Sequence, residues 1–210
     1  MKREQYIQAF SKYLPEAFVD YVVDLILRER ILFKIVRPRK SKLGDFSVQH
    51  DGSRPTITVN GNLNPYSFLV TTLHELAHLK TYQSYGNRVQ PHGLEWKNAF
   101  RELLVPVLEN DALPSGLKHV LWQSFTNLKA SSCTDVALAR ELKKFDHPET
   151  TQLPTLEQIP FNSTFVLAGK IYRKGNLRRT RYLCQELKSG KQFLVHSLAN
   201  VQLINLNHEK

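Results

Sequence analysis

Apolar residues recur at helical spacing over much of the first two thirds of the chain. The stretch that begins at Asn64-Pro65 is the strongest example, because Asn64 can cap a helix and Pro65 is tolerated at its first position. Apolar residues then recur at helical spacing as far as Leu79. The predicted helical regions are residues 4–29 with a break near Leu14-Pro15, the stretch from Asn64-Pro65 to Gly86, residues 93–108, and residues 112–144 with a break at Ser131-Ser132.

Short β-rich runs separate the first helices from the long one. They are residues 31–36, 46–48 and 56–59, and Asp51-Gly52-Ser53-Arg54-Pro55 supplies turn-forming residues between the last two. We expect these three strands to form a small antiparallel sheet. Together with the helices they predict an α+β fold that is mainly helical.

The pattern changes near residue 147. Residues 147–160 contain three prolines and several polar residues, which predicts a linker between residues 1–146 and a second region. Residues 161–210 then predict a small, basic, β-rich region with two hairpins, whose turns are Lys174-Gly175-Asn176 and Ser189-Gly190-Lys191. The predicted strands are residues 164–172, 179–187, 192–195 and 200–203.

The composition is that of an ordinary globular protein, with 41% hydrophobic and 23% charged residues among 210. No run of about 18 apolar residues appears, so no membrane partner is expected. The first residues lack the apolar segment of a signal peptide. Two cysteines, Cys133 and Cys184, are too few for a disulfide framework and indicate a reducing compartment. We therefore expect a cytoplasmic protein, and a monomer.

The net charge of +10 is concentrated in two segments. Residues 28–42 hold seven Lys or Arg against one acid, and residues 161–210 hold nine against two. Clustered cations attract polyanions, of which nucleic acid is the commonest. The candidate nucleic-acid-binding residues are Arg37, Arg39, Lys40 and Lys42 in the first segment, and Arg173, Lys174, Arg178, Arg179 and Arg181 in the second, with Tyr172 and Tyr182 available to stack on unpaired bases.

The stretch His74-Glu75-Leu76-Ala77-His78 falls inside the long predicted helix. Residues four apart lie on one face of a helix, so His74 and His78 can direct two imidazoles at one metal ion. Glu75 then lies beside that ion, where its carboxylate can accept a proton from a water molecule. This spacing is the signature of zinc peptidases, and the chemistry it predicts is metal-assisted hydrolysis of peptides.

A catalytic zinc ion needs a third protein ligand. Two candidates follow downstream, His92 in a loop and Glu95 at the start of the next helix. His92 can reach the first two imidazoles if the loop folds back. Glu95 can either complete a set of two histidines and one carboxylate, or orient a ligating imidazole from behind.

The residues from about 56 to 100 resemble the SprT-like metallopeptidases, the family that includes the DNA–protein crosslink protease Spartan. The resemblance comprises a strand ending in Val59-Asn60, the segment before the histidine pair, the pair itself, and His92-Gly93-Leu94-Glu95-Trp96-Lys97. It implies that His74, His78 and His92 bind one Zn²⁺ ion, that Glu75 is the catalytic base, and that the fold is a compact helical zincin-like domain with a small sheet. Many bacterial members carry a four-cysteine zinc ribbon near the C-terminus, where this chain has only Cys184.

The sequence therefore predicts a zinc endopeptidase that acts on proteins bound or crosslinked to DNA, in a cytoplasmic or nucleoid-associated location. An alternative is a nucleic-acid-binding or transcription-associated factor in which the zincin fold is structural or weakly active. A third interpretation is a metallopeptidase without a link to nucleic acid.

Overall fold

A computed structural model describes residues 2–39, 41–49, 53–126, 135–146 and 153–204. The chain divides into two compact units, residues 1–145 and residues 146–210, and each has its own hydrophobic core. The fold is α+β, with six α-helices and two small sheets among the described residues. Within those residues, no helix is both long and apolar enough to cross a membrane.

The first unit begins with two short helices that cover one side of its core. Helix α1 spans Arg3–Phe10, a 3-10 turn spans Glu16–Phe18, and α2 spans Val19–Arg28. The break between α1 and α2 falls at Leu14-Pro15, as the sequence predicts. Val22, Val23 and Ile26 lie on one stripe of α2 and are fully buried, so this helix is held by an apolar face.

Helix α3, Pro65–Tyr85, is the central element of the first unit. The Asn64 side chain accepts the Ser67 backbone N–H (2.8 Å) and Pro65 occupies the first helical position, which confirms the predicted helix start. Gly86 ends the helix with φ 60°, a conformation that glycine adopts readily. Buried residues lie on nearly every side of α3, so the helix that carries the histidine pair is enclosed by the rest of the unit.

The sheet of the first unit is mixed, and the expectation of an antiparallel sheet is wrong. Strand β3 (Thr56–Asn60) is central; β1 (Leu32–Val36) pairs with it in parallel, and β2 (Gly44–Ser47) pairs with it antiparallel on the other side. Ile57 and Val59 of β3 are fully buried, so the central strand is fixed by the core. The order leaves β2 at an edge, where it packs against α3.

Three further helices complete the first unit. Helix α4 spans Leu94–Glu109, α5 spans Ser115–Thr126 and α6 spans Val136–Lys143. Asp135 caps α6 by accepting the backbone N–H groups of Ala137 and Leu138. The break predicted at Ser131-Ser132 lies outside the described residues, between α5 and α6.

The second unit is built on a six-stranded sheet. The strands are β4 (Thr164–Leu167), β5 (Lys170–Arg173), β6 (Leu177–Arg178), β7 (Arg181–Glu186), β8 (Gln192–His196) and β9 (Gln202–Ile204). Strand β7 is the centre of the sheet, with β8 on one side and both β5 and β6 on the other, while β4 lies between β5 and β9. Phe165, Tyr172 and Cys184 are buried in the core of this unit.

The second unit differs from the sequence expectation in two places. The strand predicted over residues 164–172 is a hairpin, because Ala168 and Gly169 adopt positive φ angles of 50° and 75° and reverse the chain. The linker expected through residue 160 is shorter at its C-terminal end, since Leu156 and Ile159 are buried in the core of this unit. Residues 147–152 lie outside the described part of the chain.

Candidate metal centre

Two elements bring three imidazoles together. His74 and His78 lie one turn apart on α3, and His92 lies in the turn that precedes α4. The Gly93 backbone N–H closes this turn by donating to the Gln90 carbonyl (2.9 Å), and His92 has φ 59°. With Pro91 before it, the arrangement fits a type II turn, in which the third residue usually is glycine. His92 is thus held in an uncommon backbone conformation that aims its ring at α3.

The three Nε2 atoms converge on one point. Each pair of Nε2 atoms among His74, His78 and His92 is 3.1 Å apart. Three imidazole nitrogens cannot satisfy one another as donors and acceptors in a closed triangle, so their inward lone pairs favour a cation between them. Ligands 2.0–2.1 Å from a tetrahedral zinc ion lie about 3.3 Å apart, close to the observed spacing. The group could therefore hold one metal ion.

The environment keeps the imidazoles neutral, which metal binding requires. Burial, with repulsion from the neighbouring histidines, lowers the pKa of His74 to about 3. Burial and repulsion from His92 lower the pKa of His78 to about 4, and burial lowers the pKa of His92 itself. At neutral pH all three rings present lone pairs and not charged N–H groups.

Trp96 forms the wall behind the three imidazoles. Its ring centroid lies 4.6 Å from that of His74, 5.4 Å from that of His78 and 4.8 Å from that of His92. Trp96 is 1% exposed and stacks on Phe100 in the core at 5.1 Å. Because Trp96 lies one turn after His92, the same helix that begins at the ligand loop also fixes the rings from behind.

Glu75 lies beside the histidines and is as buried as His74, each being 7% exposed, whereas His78 and His92 are half-buried. Burial, with a contribution from the Asp45 carboxylate, raises the pKa of Glu75 to about 7. The Phe46 backbone N–H of β2 donates to the Glu75 carboxylate and opposes that rise, as do the charges of Arg39 and Lys42. A carboxyl group with a pKa near neutrality can both accept and release a proton.

Gly44 is a site residue that sequence reasoning misses. A Cβ atom placed on Gly44 would lie 2.6 Å from Glu75 Oε1 and 2.7 Å from Thr71 Cγ2. Strand β2 can therefore approach α3 this closely because residue 44 has no side chain. The sequence marks Gly44 only as a glycine before a short strand, and nothing in it indicates that α3 passes against this residue.

Among the described residues, the group that could hold a metal ion consists of His74, His78 and His92 and does not include Glu95. An orienting role for Glu95 remains a prediction.

The first basic segment is partly engaged within the protein. Arg37 is exposed, whereas Arg39 Nε donates to the side-chain oxygen of the last β3 residue (3.0 Å). The Lys42 ammonium pairs with Asp45 (2.7 Å). Lys40 lies outside the described residues. Of the candidate residues in this segment that the structure describes, Arg37 is exposed and therefore open to a polyanion.

Lys174 in the second unit is a correction to the predicted nucleic-acid-binding set. It is 4% exposed, its Nζ donates to the Ile159 carbonyl (2.6 Å), and it lies 4.0 Å from the centroid of the Tyr182 ring. Burial lowers the pKa of Lys174, and its ammonium makes its contacts inside the unit. Tyr172 is also buried, so it is unavailable for stacking on bases. The remaining members of this set are exposed: Arg173, Arg178, Arg179 and Arg181.

Three of these arginines share one hairpin. Arg178 of β6 pairs with Arg181 of β7, and Arg179 lies in the turn between them with φ 57°. Like charges directly opposite each other destabilise a strand pair, and this hairpin presents three exposed guanidinium groups.

Comparison with known proteins finds short similarities to two proteins named Protein SprT. The one from Vibrio parahaemolyticus serotype O3:K6 (strain RIMD 2210633) is 51% identical over 41 residues, which is 19% of this chain and 24% of that protein. The one from Glaesserella parasuis serovar 5 (strain SH0165) is 61% identical over 31 residues, which is 15% of this chain and 19% of that protein. No model of a known protein family matches the chain, and no solved structure matches it. The matches cover at most about a quarter of these relatives and support, weakly, a SprT-like relationship.

Proposed function

We propose that this protein is a zinc-dependent endopeptidase of the SprT-like type. The convergence of the His74, His78 and His92 Nε2 atoms at 3.1 Å, with the Glu75 carboxyl group buried beside them, carries the proposal. The short similarities to Protein SprT agree with it. Three neutral imidazoles are a donor set that suits zinc and leave a fourth position for substrate.

Glu75 is the group that moves protons in the proposed reaction. When bound, the zinc ion polarises the scissile carbonyl and the attacking water. Glu75 accepts the proton of that water and delivers it to the nitrogen of the leaving amine. The charge of a zinc ion held by the three neutral imidazoles would favour the carboxylate form of Glu75 at the start of the cycle. The Phe46 N–H holds the carboxylate in place.

Strand β2 is the proposed docking edge for an extended peptide. Strand β3 is paired on both sides, whereas β2 lies at an edge of the sheet. Leu43 O accepts the Asn60 N–H, so by alternation Gly44 and Phe46 direct their backbone groups away from β3. The Phe46 N–H already donates to Glu75, so the peptide would pair with the Gly44 backbone groups and the Phe46 carbonyl. That edge faces α3, and a peptide added there would pass the three imidazoles.

We further propose that the substrates are proteins held on DNA. The exposed guanidinium groups of the β6–β7 hairpin, together with Arg37, support this part of the proposal. Phosphate contacts of this kind position a protein without reading sequence. An enzyme whose targets share DNA and no common peptide sequence needs that property.

One experiment separates the proposed function from its alternatives. Zinc content is measured on the purified protein, and cleavage of casein or of the protein itself is followed with and without single-stranded DNA. Cleavage that DNA stimulates supports the proposal. Salt-sensitive DNA binding without cleavage would indicate a nucleic-acid-binding factor instead, and cleavage that ignores DNA would indicate a peptidase without this link.

A further inference from the structure

A cavity of about 390 Å³ lies against one side of the metal centre, within the first unit. His74 and Glu75 form part of its wall, so its occupant lies next to the reacting groups. Leu43 and Ala139 also line the cavity and are exposed, which means that it opens to solvent. Its volume falls at the lower end of the range of roughly 300–1,000 Å³ that is typical of small-molecule sites.

Most of the wall away from the reacting groups is apolar. Leu43 precedes β2, Val70 comes from α3, and α6 contributes the face that carries Leu138, Ala139 and Leu142. Leu138 and Leu142 are one turn apart, so both lie on the face of α6 that borders the cavity. A ligand that fills this space replaces water with contacts to aliphatic side chains, and this favours an apolar ligand.

The charged groups at the cavity are already paired. The Lys42 ammonium lies 2.7 Å from Asp45 Oδ1. Asp135 accepts two backbone N–H groups in the first turn of α6 through Oδ1, and the Ser124 hydroxyl through Oδ2 at 2.6 Å. A charged guest would therefore have to displace an existing partner, whereas an apolar guest displaces none.

Helix α6 is anchored, so the cavity is preformed. The Asn64 side-chain amide, at the start of α3, donates to the Leu142 carbonyl at the end of α6 (2.9 Å). Leu138 is 2% exposed and packs into the core of the unit. These contacts fix α6 relative to the helix that carries the histidines, and a fixed wall selects its guest by shape.

We propose that this cavity is a specificity pocket that takes the large apolar side chain, such as Leu or Phe, of the residue that supplies the leaving amine. The inference rests on the proposed peptidase function. Glu75 hands its proton to the leaving nitrogen, so that nitrogen lies near the Glu75 carboxylate at the inner end of the cavity. The side chain of the same residue begins next to the nitrogen and has the cavity in front of it.

The test uses the full-length, zinc-loaded protein and reads the residue on each side of every cut. Denatured casein is digested and the new termini are identified by mass spectrometry. Matched peptides with Leu, Phe, Ala, Asp or Lys after the scissile bond then give kcat/KM. We expect Leu and Phe to exceed Ala by at least about 10-fold, as a pocket filled by several carbons provides. Asp and Lys should be the poorest.

Two variants connect the preference to this cavity. Ala139→Trp fills it from an exposed helical position, and Leu43→Asp places a charge at its mouth. Both should abolish most of the Leu-over-Ala preference in kcat/KM. Ala112→Trp, at an exposed position outside the cavity lining, is the matched control and should keep the preference.

A binding measurement supplies a readout that does not depend on turnover. Zinc-loaded Glu75→Gln protein is titrated with fluorescent Leu and Ala peptides, and the Leu peptide should bind about 10-fold more tightly unless Ala139→Trp is also present. Cleavage without a preference for Leu or Phe, or a preference unchanged by Ala139→Trp, would overturn the pocket and leave the peptidase standing. Absence of cleavage with zinc bound would overturn both proposals.

Discussion

Replacement of Gly44 by alanine tests whether the close approach of β2 to α3 positions Glu75. The added Cβ would meet Glu75 Oε1 at 2.6 Å and Thr71 Cγ2 at 2.7 Å. An ordinary contact begins near 3.4 Å, so the carboxylate or the strand must move by about 0.8 Å. Neither the strand backbone nor the buried Glu75 can turn away as a surface side chain would.

The expected loss follows from that displacement. A misplacement of about 1 Å at a reacting group can cost roughly 100-fold in rate, so Gly44→Ala should lower kcat/KM by about 10- to 100-fold. The accompanying overpacking should lower the free energy of unfolding by about 1–3 kcal/mol. Zinc content should stay unchanged, because the nearest atoms that the added Cβ would meet belong to Glu75 and Thr71 and not to an imidazole.

Gly116→Ala is the matched control for this prediction. Its added Cβ would also be too close to a carboxylate oxygen, 2.7 Å from Glu141 Oε2, but that atom ends a flexible side chain. Activity should remain at the level of the unmodified protein, measured as casein cleavage at equal protein and zinc concentrations with thermal melts on the same samples. If Gly44→Ala cleaves as fast as Gly116→Ala, β2 does not position the catalytic carboxylate.

Three further predictions concern metal binding and the second unit. Zinc at about 100 times its Kd should stabilise the first unit by about 2.7 kcal/mol, a rise in Tm of roughly 5–10 °C, and His92→Ala should show no such rise in a thermal melt. Co²⁺ should quench the fluorescence of Trp96, because the Trp96 ring lies behind the imidazoles. This quenching should persist in Trp122→Phe, and its loss in that variant would show that the quenched fluorescence comes from Trp122. Lys174→Met should lower the free energy of unfolding of the second unit by about 1–3 kcal/mol in urea, because it leaves buried carbonyl groups without their hydrogen-bond donor. Arg179→Gln should instead leave stability unchanged and reduce the slope of log K against log salt for DNA binding by about one. Equal effects of the two variants on DNA binding would contradict the buried role of Lys174.

The long helix and the histidine pair are predictable from local sequence. The cap at Asn64, the proline that follows and the spacing of four between His74 and His78 all act within one helix, where local geometry determines which side chains meet. His92 is harder to predict, since its ring reaches α3 only because the turn holds a positive φ that few non-glycine residues adopt.

Other features depend on contacts between residues far apart in sequence. The pattern of apolar residues in β1 and β3 is compatible with either strand direction, so the parallel pairing could not be read from it. The position of Gly44 against Glu75 is likewise a tertiary contact. Lys174 counts as one more cation in a basic segment, and only the packing of the hairpins reveals that its ammonium is buried.

The central claim is that three histidines hold one zinc ion and that Glu75 moves protons beside it. The most direct test measures bound zinc per chain and the rate of casein cleavage on the same preparations of unmodified protein and of Glu75→Gln. The account predicts one zinc ion in both and a fall in cleavage of at least about 100-fold in Glu75→Gln, the scale of general acid–base catalysis. Full cleavage by zinc-loaded Glu75→Gln, or cleavage by protein that binds no metal, would contradict it.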